Sequence, residues 1–293
     1  MKRVALVLLV MVGLAGWAVA QQAQQGKAPQ AQAGTAPAQQ AQAPAAKAPP
    51  QAKTQEEFKA FQEASAAQDP VAVEKAADDF AAKFKTSDLR YMLYYRAMML
   101  YQNQNKAEKT IEMGRRVLAA NPTEPVTLAM LATVLAMKTR ESDLDRDERL
   151  DEAMQSAQKS LQYVDTEMTP PPGLSAEQVE QNKNYVRSLA YSAMGAVYAN
   201  RNDYANAEVN LKKAIDLNAA QPDPITYLQY AIALDRQKKY QEALLATNKA
   251  LELSPPNSPQ AEMAKQERQR LLQLTSKPDA SGVPTQLTPV EPK

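Results

Sequence analysis

Residues Tyr191–Ile215 read YSAMGAVYANRNDYANAEVNLKKAI. Nothing in the stretch has the look of a site, yet its spacing is regular. Tyr191, Gly195 and Tyr198 fall at helical steps, as do Tyr204, Ala207, Leu211 and Ala214. Steps of three and four place side chains on one helix face. The turn-forming string NRND at 200–203 separates the two sets. The stretch therefore predicts two helices whose facing sides carry small residues at the point of closest approach. Downstream, Tyr227, Ala231, Leu234, Tyr240, Ala243, Thr247 and Ala250 repeat the spacing, and Pro255 closes the unit.

This pattern of a large residue, a small residue, an aromatic, an alanine and a closing proline resembles the tetratricopeptide repeat (TPR) family. The matching units span 188–221 and 224–257, with departures at Thr247, where a larger residue is usual, and at Ala219, where proline is usual. Degenerate units lie near 57–90, 91–124 and 125–167. The small-residue positions Met98, Ala132, Gly195 and Ala231 are 34, 63 and 36 residues apart, and the first interval matches the family period. The long interval takes up a loop insertion of about nine residues after the helix at 128–135, the string TPPPGLS at 169–175, and an N-terminal extension of the next helix. Thr110, Gly114 and Val117 fit the second-helix positions of their unit poorly. Ser175 and Gln178 form a capping-box signature with Leu174 placed as a staple. Ser258-Pro259 starts a last helix, rich in Lys, Glu, Gln and Arg, that suits a solvent-facing cap. The expected fold class is all-α: a TPR-like helical-repeat solenoid over 54–276, with a disordered N-terminal linker and C-terminal tail.

The flanks differ in composition. Lys2 and Arg3 precede an apolar run from Val4, which ends in Ala18-Val19-Ala20. That layout predicts a secretory signal over residues 1–20, cleaved after Ala20, and a chain soluble once processed and exported to the periplasm or the extracellular space. The rival reading is an uncleaved anchor, for which the 17-residue run Val4–Ala20 is barely long enough. Residues 21–53 contain only Ala, Gln, Pro, Lys, Gly and Thr. They carry nothing large enough to bury, so they read as a disordered linker; the tail 277–293 reads the same way. The 34 basic and 33 acidic residues give a net charge of +1, and loss of Lys2 and Arg3 with the leader makes it −1. Such a balance provides no electrostatic footprint for nucleic acid. The absence of cysteine removes disulfides and leaves no thiol for lipid attachment.

Composition also limits chemistry. With no histidine and no cysteine, there is no Ser-His-Asp triad, no thiol nucleophile and no histidine zinc helix. Only Gly114, Gly173 and Gly195 lie between Thr54 and Ser276, too few for a phosphate-cradling loop. The string DLDRDERLDEAM at 143–154 follows a calcium-loop rhythm at Asp143, Asp145, Asp147 and Leu150. It fails where Glu148 replaces the turning glycine and Met154 the closing glutamate, so it reads as a salt-bridged insertion. The pairs Asp78-Asp79 and Glu56-Glu57 point in different directions on a helix and carry no acid–base prediction. No catalytic, cofactor or metal site is expected.

The TPR resemblance implies a non-enzymatic protein-binding scaffold whose groove is lined by the first helix of each pair. Mapped onto this chain, the groove comprises Met92, Tyr95, Met99, Gln102 and Asn103, then Val126, Ala129 and Thr133. It continues with Leu189, Ser192, Ala196 and Asn200, then Ile225, Leu228, Ile232, Asp235 and Arg236. These are mostly apolar, unlike the cationic clamp that some relatives use for carboxylate tails. The implied partner is an apolar or amphipathic helix or peptide, unless the chain's own helices fill the groove. The alternatives are an envelope-polymer (glycan) binding module and an outer-membrane assembly-type factor, though the latter usually carry a lipidated cysteine. The only tryptophan, Trp17, lies in the leader. The exported protein should therefore begin at Gln21 by intact mass and emit tyrosine but no tryptophan fluorescence; tryptophan emission from exported material would refute cleavage.

Overall fold

The computed structural model describes residues 50–168, 171 and 173–276. The leader, most of the linker and the tail 277–293 lie outside the described residues. Eleven helices and no strand occur among the described residues: α1 (Gln55–Ser65), α2 (Pro70–Lys83), α3 (Arg90–Asn103), α4 (Ala107–Ala120), α5 (Pro125–Lys138), α6 (Arg146–Tyr163), α7 (Ala176–Asn200), α8 (Tyr204–Leu217), α9 (Pro224–Arg236), α10 (Tyr240–Leu253) and α11 (Pro259–Thr275). Successive helices pair as α1/α2, α3/α4, α5/α6, α7/α8 and α9/α10, each pair packs on the next, and α11 lies against α10 and α9. The architecture is a TPR-like solenoid. Ahead of α1, Ala52 packs on the first core cluster, and Lys53 Nζ donates to the Thr86 carbonyl at 2.8 Å.

Helix starts follow local chemistry. Ser175 and Gln178 form the full capping box of α7, and Ser258 caps α11, with Pro259 at its first position. The same device opens α2, α5 and α9, where Asp69, Glu124 and Asp223 each cap a helix that begins with proline. The acidic cap accepts two backbone N–H groups that a first turn leaves unpaired, and proline there lacks only a donor that would have no partner. Turns within pairs are tight. Asn105, Asn202 and Lys238 occupy the same turn position with φ of 56°, 61° and 65°.

The joint inferred at Gly195 is steric. A Cβ added there would lie 2.5 Å from Leu211 Cγ and 3.3 Å from the Ala207 carbonyl oxygen. Leu211, Ala207 and Ala214 are fully buried, so Leu211 fills the space that glycine leaves. Tyr198 packs beside Ala207 and Leu211. Tyr191 lies under Lys213 Nζ, 5.0 Å from its ring centroid. In α9/α10, Ala231, Ala243 and Ala250 are buried, and Tyr240 packs on the cluster that holds Ala231 and Ala243. Thr247, the departure from pattern, is fully buried, and its hydroxyl donates to the Ala243 carbonyl at 2.8 Å. Pro255 stays exposed two residues beyond α10 and acts as a terminator.

The poor fit of Gly114 in the sequence has a physical reason. In α3/α4 the large and small partners are exchanged. Fully buried Met98 stands where Gly195 stands in α7, and Gly114 stands where Leu211 stands in α8. A Cβ on Gly114 would meet Met98 Sδ at 3.4 Å and Leu131 at 3.6 Å, ordinary contact against a flexible side chain.

The first pair is fastened by polar rungs in addition to the apolar contacts of Val73, Ala77 and Phe80. Glu74 accepts from the Tyr101 hydroxyl at 2.5 Å and from Lys109 Nζ at 2.9 Å. One turn along α2, Asp78 accepts from the Tyr94 hydroxyl at 2.9 Å and from Arg116. Each cation also lies over the ring of its own rung's tyrosine, Lys109 at 5.9 Å and Arg116 at 5.6 Å. Burial acts to raise the Glu74 carboxyl, but the bonds from Tyr101 and Lys109, with the charges of Lys109 and Arg116, hold it below the usual carboxylate range. Burial and Glu74 together push Tyr101 up to about 12.

Of the acidic string 143–154, residues 143–145 lie in the loop ahead of α6 and the rest in the helix. Asp143 Oδ2 accepts the Arg140 N–H at 2.8 Å, and Arg149 reaches Glu108 Oε1 at 2.9 Å. No group of three or more potential metal ligands occurs among the described residues.

The two glycines should respond with opposite signs. Gly195→Ala should lower stability by roughly 1–3 kcal/mol through overpacking, while Gly114→Ala should be neutral or stabilising by up to about 1 kcal/mol from helix propensity. Equal shifts in melting temperature would contradict the joint. A carboxyl with a depressed folded pKa stabilises above its unfolded pKa and loses that contribution as pH falls through the folded value. The melting temperature should therefore fall more steeply between about pH 5 and pH 3 for the parent than for Glu74→Gln; parallel curves would remove Glu74 from the acid response.

Candidate functional site: the face lined by first helices

The face built from α3, α5, α7 and α9 follows from the joints. Their small residues turn inward, leaving the positions between them on one side. Met92, Tyr95 and Met99 on α3 are half-buried against the first core cluster, and Gln102 and Asn103 are exposed. On α5 the floor is small: Ala129 is fully buried, while Val126 and Thr133 are half-buried. On α7, Ala196 is buried, and Asn200 Nδ2 donates to the Ala136 carbonyl at 3.1 Å, which ties α7 to α5. On α9, Leu228 is buried, Ile232 half-buried and Arg236 exposed.

Toward the C-terminal end the chain covers its own face. Asp235, with 9% of its side chain exposed, lies 2.5 Å from Arg270 of α11. A shallow cleft of about 290 Å³ remains between α9 and α11, bordered by Leu228, Ile232, Met263, Glu267 and Arg270. At this end α11 covers part of the α9 positions.

Over the small floor of α5, tyrosines from both sides come close. Burial, then the Glu124 and Asp88 charges, push Tyr91 up to about 12. Tyr95 is raised further by burial, then by Glu124 and by Tyr185 of α7. Tyr185 is itself raised by burial and by Asp223. Among the described residues no hydrogen bond engages the hydroxyl of Tyr91, Tyr95 or Tyr185. Glu124 is occupied as the cap of α5, accepting from Val126 N at 3.3 Å and from Thr127 N, and burial raises its carboxyl. The result is three rings with three uncommitted donors, alongside methionines that adapt to irregular surfaces.

Two members escaped the sequence-level mapping. Tyr185 lies in the α7 extension, outside the repeat frame; its spacing of four from Leu189 and seven from Ser192 was the available signal. Met137, 44% exposed, stands on α5 where Asn103 and Arg236 stand on α3 and α9.

No family model matches the sequence, and no curated protein matches it significantly. Solved structures do resemble it. TTC0263, a thermophilic TPR protein of Thermus thermophilus, is 19% identical with a TM-score of 0.44, covering 74% of this chain and 99% of that one. PilW, a type IV pilus biogenesis factor, is 17% identical with a TM-score of 0.46, covering 76% and 93%. YrrB, a TPR protein with an unusual peptide-binding site, is 16% identical with a TM-score of 0.40, covering 72% and 97%. No described helix is long and apolar enough to cross a membrane.

Proposed function

We propose that this TPR-type chain is a non-enzymatic protein-binding scaffold, exported to the cell envelope, that lays an apolar or amphipathic helix or peptide across the α3–α5–α7 face. The observation that carries the reading is the cluster of Tyr91, Tyr95 and Tyr185, whose rings are half-buried and whose hydroxyls have no partner among the described residues. Such rings supply contact area at low entropic cost, and their hydroxyls can meet a peptide's carbonyls. Met92, Met99 and Met137 extend the apolar surface beside them and tolerate varied side chains. Affinity comes from removing these apolar groups from water, with orientation set by the hydroxyls. Export rests on the leader sequence, Lys2 to Ala20.

A photo-reactive residue placed at Met99 or Met137, in the native cell, should cross-link the same few proteins. The same group at Val209 on α8, 56% exposed, should not. Tyr95→Phe and Tyr185→Phe, which keep the packed rings and remove only the uncommitted hydroxyls, should weaken the Met99 cross-link without moving the melting temperature of the stack. Identical products at Val209 and Met99, all abundant unrelated proteins, would count against the scaffold.

A further inference from the structure

A second feature lies at the other end of the stack, where α1 meets the α2–α3 connection. A pocket of about 250 Å³ opens there, lined by Lys53, Glu57, Lys83, Phe84, Lys85 and Ser87. Glu57 is only 3% exposed. One carboxylate oxygen, Oε2, accepts the Lys53 backbone N–H at 2.6 Å, while Oε1 is buried with no partner. A buried acceptor without a donor is costly, and native structures leave few of them. Two of the three lysines are engaged: Lys53 with the Thr86 carbonyl at 2.8 Å, and Lys83 with Glu56 at 2.7 Å. Lys85 is exposed and makes no ion pair among the described residues. Phe84 is half-buried, tilted against Phe80 at 4.9 Å between centroids, and supplies an apolar wall.

An unsatisfied buried carboxylate oxygen, a free ammonium and an aromatic wall in one small pocket form a dipolar recognition set. We propose that this pocket binds a small zwitterion, an apolar α-amino acid. Its ammonium pairs with the Glu57 carboxylate once that side chain turns Oε1 into the pocket, its carboxylate takes the Lys85 ammonium, and its side chain lies on Phe84. The volume suits a ligand of that size and is below the range for drug-sized molecules. The assignment is independent of the scaffold, because none of these residues belongs to the α3–α5–α7 face.

The probes are L-leucine, 4-methylpentanoate, which lacks the amine, and 3-methylbutylamine, which lacks the carboxylate. Each is titrated into the intact chain by NMR. Leucine should shift the Phe84 and Ser87 amides, and the two half-ligands should bind about tenfold or more weakly, since each forfeits a charged hydrogen bond. Glu57→Gln, which can still accept from Lys53 N, should erase the preference for leucine over 4-methylpentanoate. Lys85→Gln, at an exposed position, should lower leucine affinity toward that of the amine and leave the amine's own affinity unchanged. The second variant decides alone should Glu57→Gln fail to fold. No leucine response, equal affinities for the three probes, or a preference that survives Lys85→Gln would assign Oε1 to water and overturn the site.

Discussion

The close approach of two helices at a glycine is the constraint from which the rest of the stack follows. At Gly195 no Cβ fits, because Leu211 already fills the space to 2.5 Å of where it would sit. This contact sets the distance between α7 and α8, and so the plane in which the next pair must dock. Two other joints solve the same problem with different residues: Ala231 facing Thr247 in α9/α10, and Met98 facing Gly114 in α3/α4. What persists is the summed volume of the two facing positions. The identity of either residue varies, since interiors tolerate swaps that keep volume and penalise those that do not.

That conservation of volume explains why the pattern fades toward the N-terminus while the architecture continues. The first pair is short, with an α1 of 11 residues, and buries few large apolar groups. Tyr94 and Tyr101 link it to α3 through Asp78 and Glu74, with Arg116 and Lys109 of α4 completing each rung. A hydroxyl, a carboxylate and a cation placed together satisfy one another, so partial burial costs little. The same acidic side chains, read as isolated sequence, are indistinguishable from a solvated helix face.

The exposed faces follow from what the joints consume. Small residues are spent where helices touch, so larger ones on α3, α5 and α7 collect on the opposite side. Tyr185 belongs to this set only because α7 runs a further three turns upstream of its repeat frame, bringing the ring beside Tyr95. At the far end α11 lays Arg270 on Asp235 and closes part of the same face. The two ends of one face thus differ in character: aromatic at one, ion-paired and partly covered by α11 at the other.

The sequence by itself determined the all-α class, the pairing of helices over 188–257, the capping of α7 and α11, and the loop insertion before α6. These depend on local rules of period, cap and turn, which adjacent residues satisfy. Tertiary structure alone decided the exchange at Met98 and Gly114, the rungs at Glu74 and Asp78, the meeting of Tyr95 with Tyr185, and the cover that α11 gives α9. Each joins residues on different helices, and their complementarity is a property of the pair. No window along the chain contains both partners, so no periodicity can show it.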